Sequence, residues 1–126
     1  MQDIIIADNL EQSLAEAVGK VEHDRLFVLT DTTTRELCWP VVQDYSVMKE
    51  ATMITIPPTD EAKTLETLAS VWTSLQQGGA TRHSLMVNLG GGMVTDLGGF
   101  AASTSKRGMA YINIPTTLLS QVDASV

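Results

Sequence analysis

The sequence predicts an α/β fold built on a mainly parallel sheet with helices on both faces. Two observations carry that expectation. Short apolar runs at 25–30, 51–56, 84–89 and 109–114 alternate with helix-length segments, the pattern of strands joined by crossover helices. Arg25–Thr30 and Ser84–Leu89 are also dominated by Leu, Val, Phe and Met, as strands covered on both faces are.

Taken in order, Asp3 to Ala7 reads as a short strand. Asp8-Asn9-Leu10-Glu11 then has the spacing of a capping box ahead of Leu10, Leu14, Ala17, Val18 and Val21, so a helix is expected to start there and stop near Gly19. After the strand at 25–30, Asp31 sits at a strand exit, and Thr33-Thr34-Arg35-Glu36 has a second capping-box spacing. The helix it opens is expected to be limited by Pro40. Ala51–Ile56 is the next strand, closed by Pro57-Pro58. A helix follows with the apolar stripe Leu65, Leu68, Ala69, Trp72 and Leu75, and Gly78-Gly79 ends it. Last come the strand at 84–89, the turn Gly90-Gly91-Gly92, a helix to about Thr104, the strand Met109–Ile114 and Pro115-Thr116-Thr117.

Composition narrows the class. With 126 residues, 44% hydrophobic and 18% charged, the chain is expected to be a single folded domain. A net charge of −7 with no basic run argues against nucleic acid and anionic membrane as partners. The start, Met-Gln-Asp-Ile-Ile-Ile-Ala-Asp, has no basic segment before a long apolar stretch, and a single cysteine, Cys38, cannot form an internal disulfide. The cytoplasm is the expected compartment.

The glycine turn is the leading candidate site. Three glycines between a buried strand and a helix let the backbone approach a ligand, and the free N–H groups of the first helical turn favour a phosphate or pyrophosphate. Asp96, four residues after Gly92, is placed to reach the same ligand. A tight strand-to-helix turn with no ligand explains the glycines equally well. Asp31 can accept from ribose hydroxyls or cap the helix that follows it. Lys63 can reach a nucleotide or face solvent, and Arg107 can hold a phosphate or be an ordinary loop cation. His23 and His83 have no partner at metal-ligand spacing. Trp39 and Trp72 read as core aromatics, and Cys38 has no visible base.

Three strings, Gly90–Thr104 (GGGMVTDLGGFAAST), Lys106-Arg107-Gly108 and Ile114–Val126 (IPTTLLSQVDASV), resemble in order and spacing the N-terminal, NAD-binding domain of 3-dehydroquinate synthase, specifically from about Gly90 onward. The resemblance implies a Rossmann-like domain over 1–126, with a helical C-terminal domain for metal and substrate lying outside it. It implies conversion of 3-deoxy-arabino-heptulosonate 7-phosphate to 3-dehydroquinate and phosphate, with catalytic NAD and a divalent metal, zinc or cobalt. The expected partners are that phosphorylated sugar acid and, in a homodimer, a second copy.

Residue by residue, the resemblance implies that Asp31, Thr32 and Thr33 approach the adenosine ribose, joined by Asp60 and Lys63. Gly91, Gly92 and Met93 would bind the pyrophosphate through backbone N–H groups. Asp96, Thr116 and Thr117 would face the nicotinamide side, while Arg107 would hold substrate phosphate and Asp123 a substrate hydroxyl. Two positions depart from the family pattern: Asp60 stands where a Glu is usual, and Thr33 where an Asn is common. The metal ligands and substrate lysines of the family have no counterpart in these residues, so this polypeptide alone is expected to lack synthase turnover. The alternatives are another sugar phosphate cyclase, a polyol dehydrogenase of the same superfold, or a non-catalytic nucleotide-binding module.

Overall fold

A computed structural model of the chain describes residues 10–57, 65–105 and 108–116. Within them, four strands form one sheet: β1 (Leu26–Asp31), β2 (Thr52–Ile56), β3 (Leu85–Gly90) and β4 (Ala110–Pro115). The order is β2-β1-β3-β4 and every pairing is parallel. Burial follows the order. All six residues of β1 and of β3 are buried, whereas β2 and β4 alternate, because among the described strands only β1 and β3 have neighbours on both sides as well as helices above and below.

The helices divide between the faces. On one face α1 (Leu10–Gly19) lays Leu10, Leu14, Ala17 and Val18 against Leu26, Val28, Leu85 and Val87. The short helices α2 (Thr32–Leu37) and α3 (Trp39–Val42) complete that layer with Cys38 and Val42, followed by a 3-10 turn at Ser46–Met48. On the other face α4 (Leu65–Gln77) and α5 (Gly92–Thr104) cover Phe27, Leu29, Ile54, Ile56 and Met86. The two layers correspond to the alternation of side chains along each strand. The expected α/β architecture, with a parallel sheet covered on both faces, is the one observed.

Three local expectations are corrected. The capping box at the start of α2 is not Thr33 to Glu36: Asp31 Oδ1 accepts from the Thr34 N–H and Thr34 Oγ1 accepts from the Asp31 N–H. Threonine thus fills the place that Glu or Gln takes in the commoner box. Pro40 does not end a helix but lies in the first turn of α3, where its missing N–H has no intrahelical partner to lose. The stripe of α4 is turned from the expected one. Leu68, Val71 and Leu75 are buried, while Leu65 is 76% exposed and Ala69 is also exposed.

Gly78-Gly79 ends α4 as expected, by a Schellman closure. Ala80 N–H donates to Leu75 O at 2.9 Å and Gly79 N–H to Gln76 O at 3.1 Å, with Gly79 in the left-handed region at φ 81°. The strand expected at Asp3–Ala7 and the capping residue Asp8 lie outside the described residues.

Candidate functional site

In a parallel sheet the ends of the strands that point the same way form one edge, and register decides what stands beside what. Asp31 pairs with Ile56, and Gly90 pairs with Pro115. Between β1 and β3 the last paired residues are Leu29 and Asn88; the same register carried on sets Asp31 beside Gly90. Ile56, Asp31, Gly90 and Pro115 therefore form a row along the carboxyl edge. The predicted segments Asp31–Thr33, Gly91–Met93 and Thr116 all begin at or just past that row. The chain leaves β1 for β2 on one side and returns to β3 on the other. The gap between the ends of β1 and β3 is thus the switch point, where α/β sheets bind ligands.

The three glycines of the turn do different work. A Cβ on Gly90 would come within 3.0 Å of Val94 and 3.1 Å of Thr34 Cγ2, so Gly90 allows α2 and α5 to close on the strand end. Among the described residues, nothing stands within 4 Å of the Cβ positions of Gly91 and Gly92. None of their atoms requires glycine there, and they leave the space above the turn open. Gly91 caps α5 in an extended conformation, φ −74° and ψ −172°, with no side-chain hydrogen bond to the helix. The first helical bond is Thr95 N–H to Gly91 O at 3.1 Å, which leaves the N–H groups of Gly92, Met93 and Val94 outside the helical ladder. These donors, the positive helix end and the open space fit a pyrophosphate.

Asp31 caps α2, one of the two roles its position allowed. Its Oδ1 is committed to the Thr34 N–H at 2.7 Å, and among the described residues Oδ2 makes no hydrogen bond. Thr32 and Thr33 are exposed at the start of α2. Asp96 is exposed one turn into α5, on the same face as Gly92 and Phe100. Thr116 is half-buried just beyond β4. The structure thus brings Asp31, Gly91, Gly92 and Met93 to neighbouring strand ends, with Thr116 at the next one. Asp60, Lys63, Arg107, Thr117 and Asp123 lie outside the described residues.

Two polar residues of this region were not singled out in the sequence. Asn88 and Asn113 pair across β3 and β4, with Asn88 Nδ2 donating to Asn113 Oδ1 at 3.0 Å. The available signal was an amide within each of two otherwise apolar strands, together with two glycines, Gly98 and Gly99, inside a helix.

Among the described residues, the other titratable groups offer no competing centre. Burial pushes the Cys38 thiol above its ordinary pKa and the Asp31 charge adds to this, which disfavours a thiolate. His23, His83, Glu22 and Asp24 line an open groove of about 430 Å³ beside the start of β1 and the loop leading into β3, at the end of the sheet opposite the glycine turn. His23 Nδ1 donates to Val21 O at 2.6 Å. Among the described residues no three His, Cys, Asp or Glu side chains are grouped to hold a metal, and no helix is long and apolar enough to cross a membrane.

The family model for the 3-dehydroquinate synthase N-terminal region matches residues 53–126. A 3-dehydroquinate synthase of Parabacteroides distasonis is 46% identical over 125 residues, covering 99% of this chain and 35% of that protein. A 3-dehydroquinate synthase of Thermococcus kodakarensis is 44% identical over 114 residues, 90% of this chain and 32% of that protein. Among solved structures, 2-deoxy-scyllo-inosose synthase, complexed with carbaglucose-6-phosphate, NAD+ and Co2+, superposes with a TM-score of 0.78 at 24% identity, covering 89% of this chain and 31% of the other. The 2-epi-5-epi-valiolone synthase of Streptomyces hygroscopicus, with NAD+ and Zn2+ bound, gives a TM-score of 0.71 at 30% identity, covering 100% of this chain and 35% of the other. The chain spans about a third of the length of these relatives. On this match the chain belongs to the 3-dehydroquinate synthase family and corresponds to its N-terminal region.

Proposed function

We propose that residues 1–126 are the NAD-binding domain of a 3-dehydroquinate synthase, which converts 3-deoxy-arabino-heptulosonate 7-phosphate to 3-dehydroquinate and phosphate. The observation that carries the cofactor assignment is the open cradle over Gly91 and Gly92 at the start of α5. A pyrophosphate there would accept from the N–H groups of Gly92 and Met93, with Gly91 leaving the approach clear. Asp31, with Thr32 and Thr33, would hold the adenosine ribose beside it, joined by Asp60 and Lys63. Asp96, Thr116 and Thr117 would border the nicotinamide half.

When bound, NAD supplies reversible removal of hydride from a substrate hydroxyl. The part of this chain would be to hold the cofactor at the switch point through Asp31, the glycine turn and Thr116. Arg107 would hold the substrate phosphate as a guanidinium fork, and Asp123 would accept from a substrate hydroxyl. The solved relatives bind Co2+ or Zn2+ as well as NAD+. Among the described residues no three His, Cys, Asp or Glu side chains are grouped to hold such an ion. Assembly as a homodimer is part of the same proposal.

The 46% identity to a 3-dehydroquinate synthase, against 30% to the valiolone synthase, favours the first substrate over those of the other cyclases. Calorimetric titration with NAD tests the cofactor assignment: saturable binding is expected, and no heat at millimolar NAD would overturn it. Phosphate release from the heptulosonate phosphate, assayed with the full-length polypeptide carrying these residues, tests the substrate. Turnover of another sugar phosphate in its place would overturn that part alone. The 126 residues by themselves are expected to show no turnover, because the reaction also needs a metal site.

A further inference from the structure

Asn88 is a polar side chain held completely inside the sheet layer. It is 0% exposed, and the alternation along β3 sets it on the same side as Met86, under α4 and α5. One end of its amide is pinned, with Nδ2 donating to Asn113 Oδ1 at 3.0 Å. The other end, Oδ1, is buried and accepts no hydrogen bond from the described residues. What faces that end is Gly98 of α5, so close that a Cβ on Gly98 would overlap the amide. Next to it, a Cβ on Gly99 would come within 3.3 Å of the Tyr111 ring on β4. The helix thus rests through two bare backbone positions on Asn88 and Tyr111.

The chain between these contacts is short and contains the candidate site. From Asn88 it passes through Leu89, which is fully buried in the sheet, then the glycine turn and two turns of α5, and returns to Asn88 at Gly98. With Leu89 fixed, a change in the height of α5 at Gly98 has to be taken up by the turn at 90–92. That is where the free N–H groups point. Because Asn113 holds the amide, the support has one orientation, which a freely rotating apolar side chain would not provide.

We propose that Asn88 is a positioning residue for the anion site: by setting the spacing between β3 and α5 at Gly98, it aims the N–H groups of Gly92 and Met93. The inference rests on the reading of the turn as a pyrophosphate site, and its test separates the two. In the full-length polypeptide, Asn88→Ala is compared with Val71→Ala, a buried α4 position away from the turn, and with the double variant Asn88→Ala/Gly98→Ala. NAD affinity is measured by calorimetry, and the ligand-free amide chemical shifts of residues 91–94 by NMR. Asn88→Ala is expected to weaken NAD binding about tenfold and to move those amides. Val71→Ala, though it lowers the melting temperature, should do neither. The double variant, whose new methyl occupies part of the vacated space, should recover part of both. Unmoved amides in Asn88→Ala, or moved amides with NAD affinity unchanged, overturn the inference. If the unsubstituted protein binds no NAD, the cofactor reading falls, and the amide shifts alone decide whether Asn88 positions the turn. Should Asn88→Ala not fold, Asn88→Ser is held to the same outcomes.

Discussion

Asp31 Oδ1 accepts the Thr34 N–H at 2.7 Å, and Thr34 Oγ1 accepts the Asp31 N–H at 3.0 Å. The acid at the exit of β1 therefore closes the first turn of α2 on itself. The cap uses one carboxylate oxygen, so it fixes the orientation of the group and leaves the other oxygen for a ligand. Capping and ribose recognition, alternatives in the sequence, are compatible in this geometry.

The two roles separate by substitution. Asp31→Ala removes both the cap and the acceptor, and is expected to lower stability by about 1 kcal/mol and to weaken NAD binding. Asp31→Ser keeps a capping oxygen and loses the carboxylate. It should therefore hold most of the stability in chemical denaturation and still bind NAD more weakly. Unchanged NAD affinity in the serine variant would leave Asp31 as a cap alone.

The glycines make a sharper pair. Gly91 has an extended backbone and open space at its Cβ position, so Gly91→Ala should change stability by no more than about 0.5 kcal/mol. The methyl would stand where the pyrophosphate is proposed to lie, and NAD affinity should drop. Gly90→Ala is the opposite case, since its Cβ would press on Val94 and Thr34, both buried and branched at Cβ. Overpacking of that kind destabilises by roughly 1–3 kcal/mol. Urea denaturation and NAD titration of the two variants should therefore give reversed rankings. Equal loss of stability in both would remove the distinction between a packing glycine and a ligand glycine.

What could be read in advance depended on whether the cause was local. The runs around Phe27-Val28-Leu29 and Leu85-Met86-Val87 announced central strands, because burial on both faces demands apolar residues at every position. The glycine turn was legible for the same reason, as strand, turn and helix start are contiguous. The stripe of α4 was not, since a period near 3.6 fixes spacing but not which of several overlapping stripes faces the sheet. Leu65 lies on the apolar stripe the sequence suggests and is exposed, while Val71 lies off it and is fully buried. Pro40 misled because proline breaks a helix interior yet is welcome in a first turn, and Cys38 is where the chain restarts. For the support of α5 on Asn88, the sequence offers the odd residues, an amide in a strand and two glycines in a helix, but not their contact. That contact joins residues ten apart and exists only once α5 has folded back over β3.

At the end of α4, Gly79 has φ 81° and supports the two bonds that close the helix. An L side chain there is strained, and its Cβ would also come within 2.9 Å of the Arg25 guanidinium. Gly79→Ala is expected to lower stability by about 1–2 kcal/mol, with NAD affinity unaffected because the residue lies at the other end of the sheet from the site. Thermal unfolding should show a lower midpoint. An unchanged one would mean that the turn relaxes to a right-handed form.

Far from the carboxyl edge of the sheet, Asp24 sets a pH dependence. The hydroxyls of Thr81 and Ser84 both donate to its carboxylate, Ser84 at 2.7 Å. These bonds, Thr81 first and Ser84 next, hold its pKa below the ordinary 3.8. The unfolded chain lacks them, so it binds the proton more readily than the folded protein as pH falls. The contribution is therefore complete at neutral pH, begins to fall near the ordinary carboxylate value, and is gone below the folded pKa. Asp24→Asn removes the charge at every pH. Its stability relative to the unsubstituted protein should be lower at pH 7 and should converge with it in acid. The difference between the two denaturation midpoints, measured from pH 7 down past pH 3, is the test. A difference that stays constant with pH would assign the role of Asp24 to hydrogen-bond shape and not to its charge.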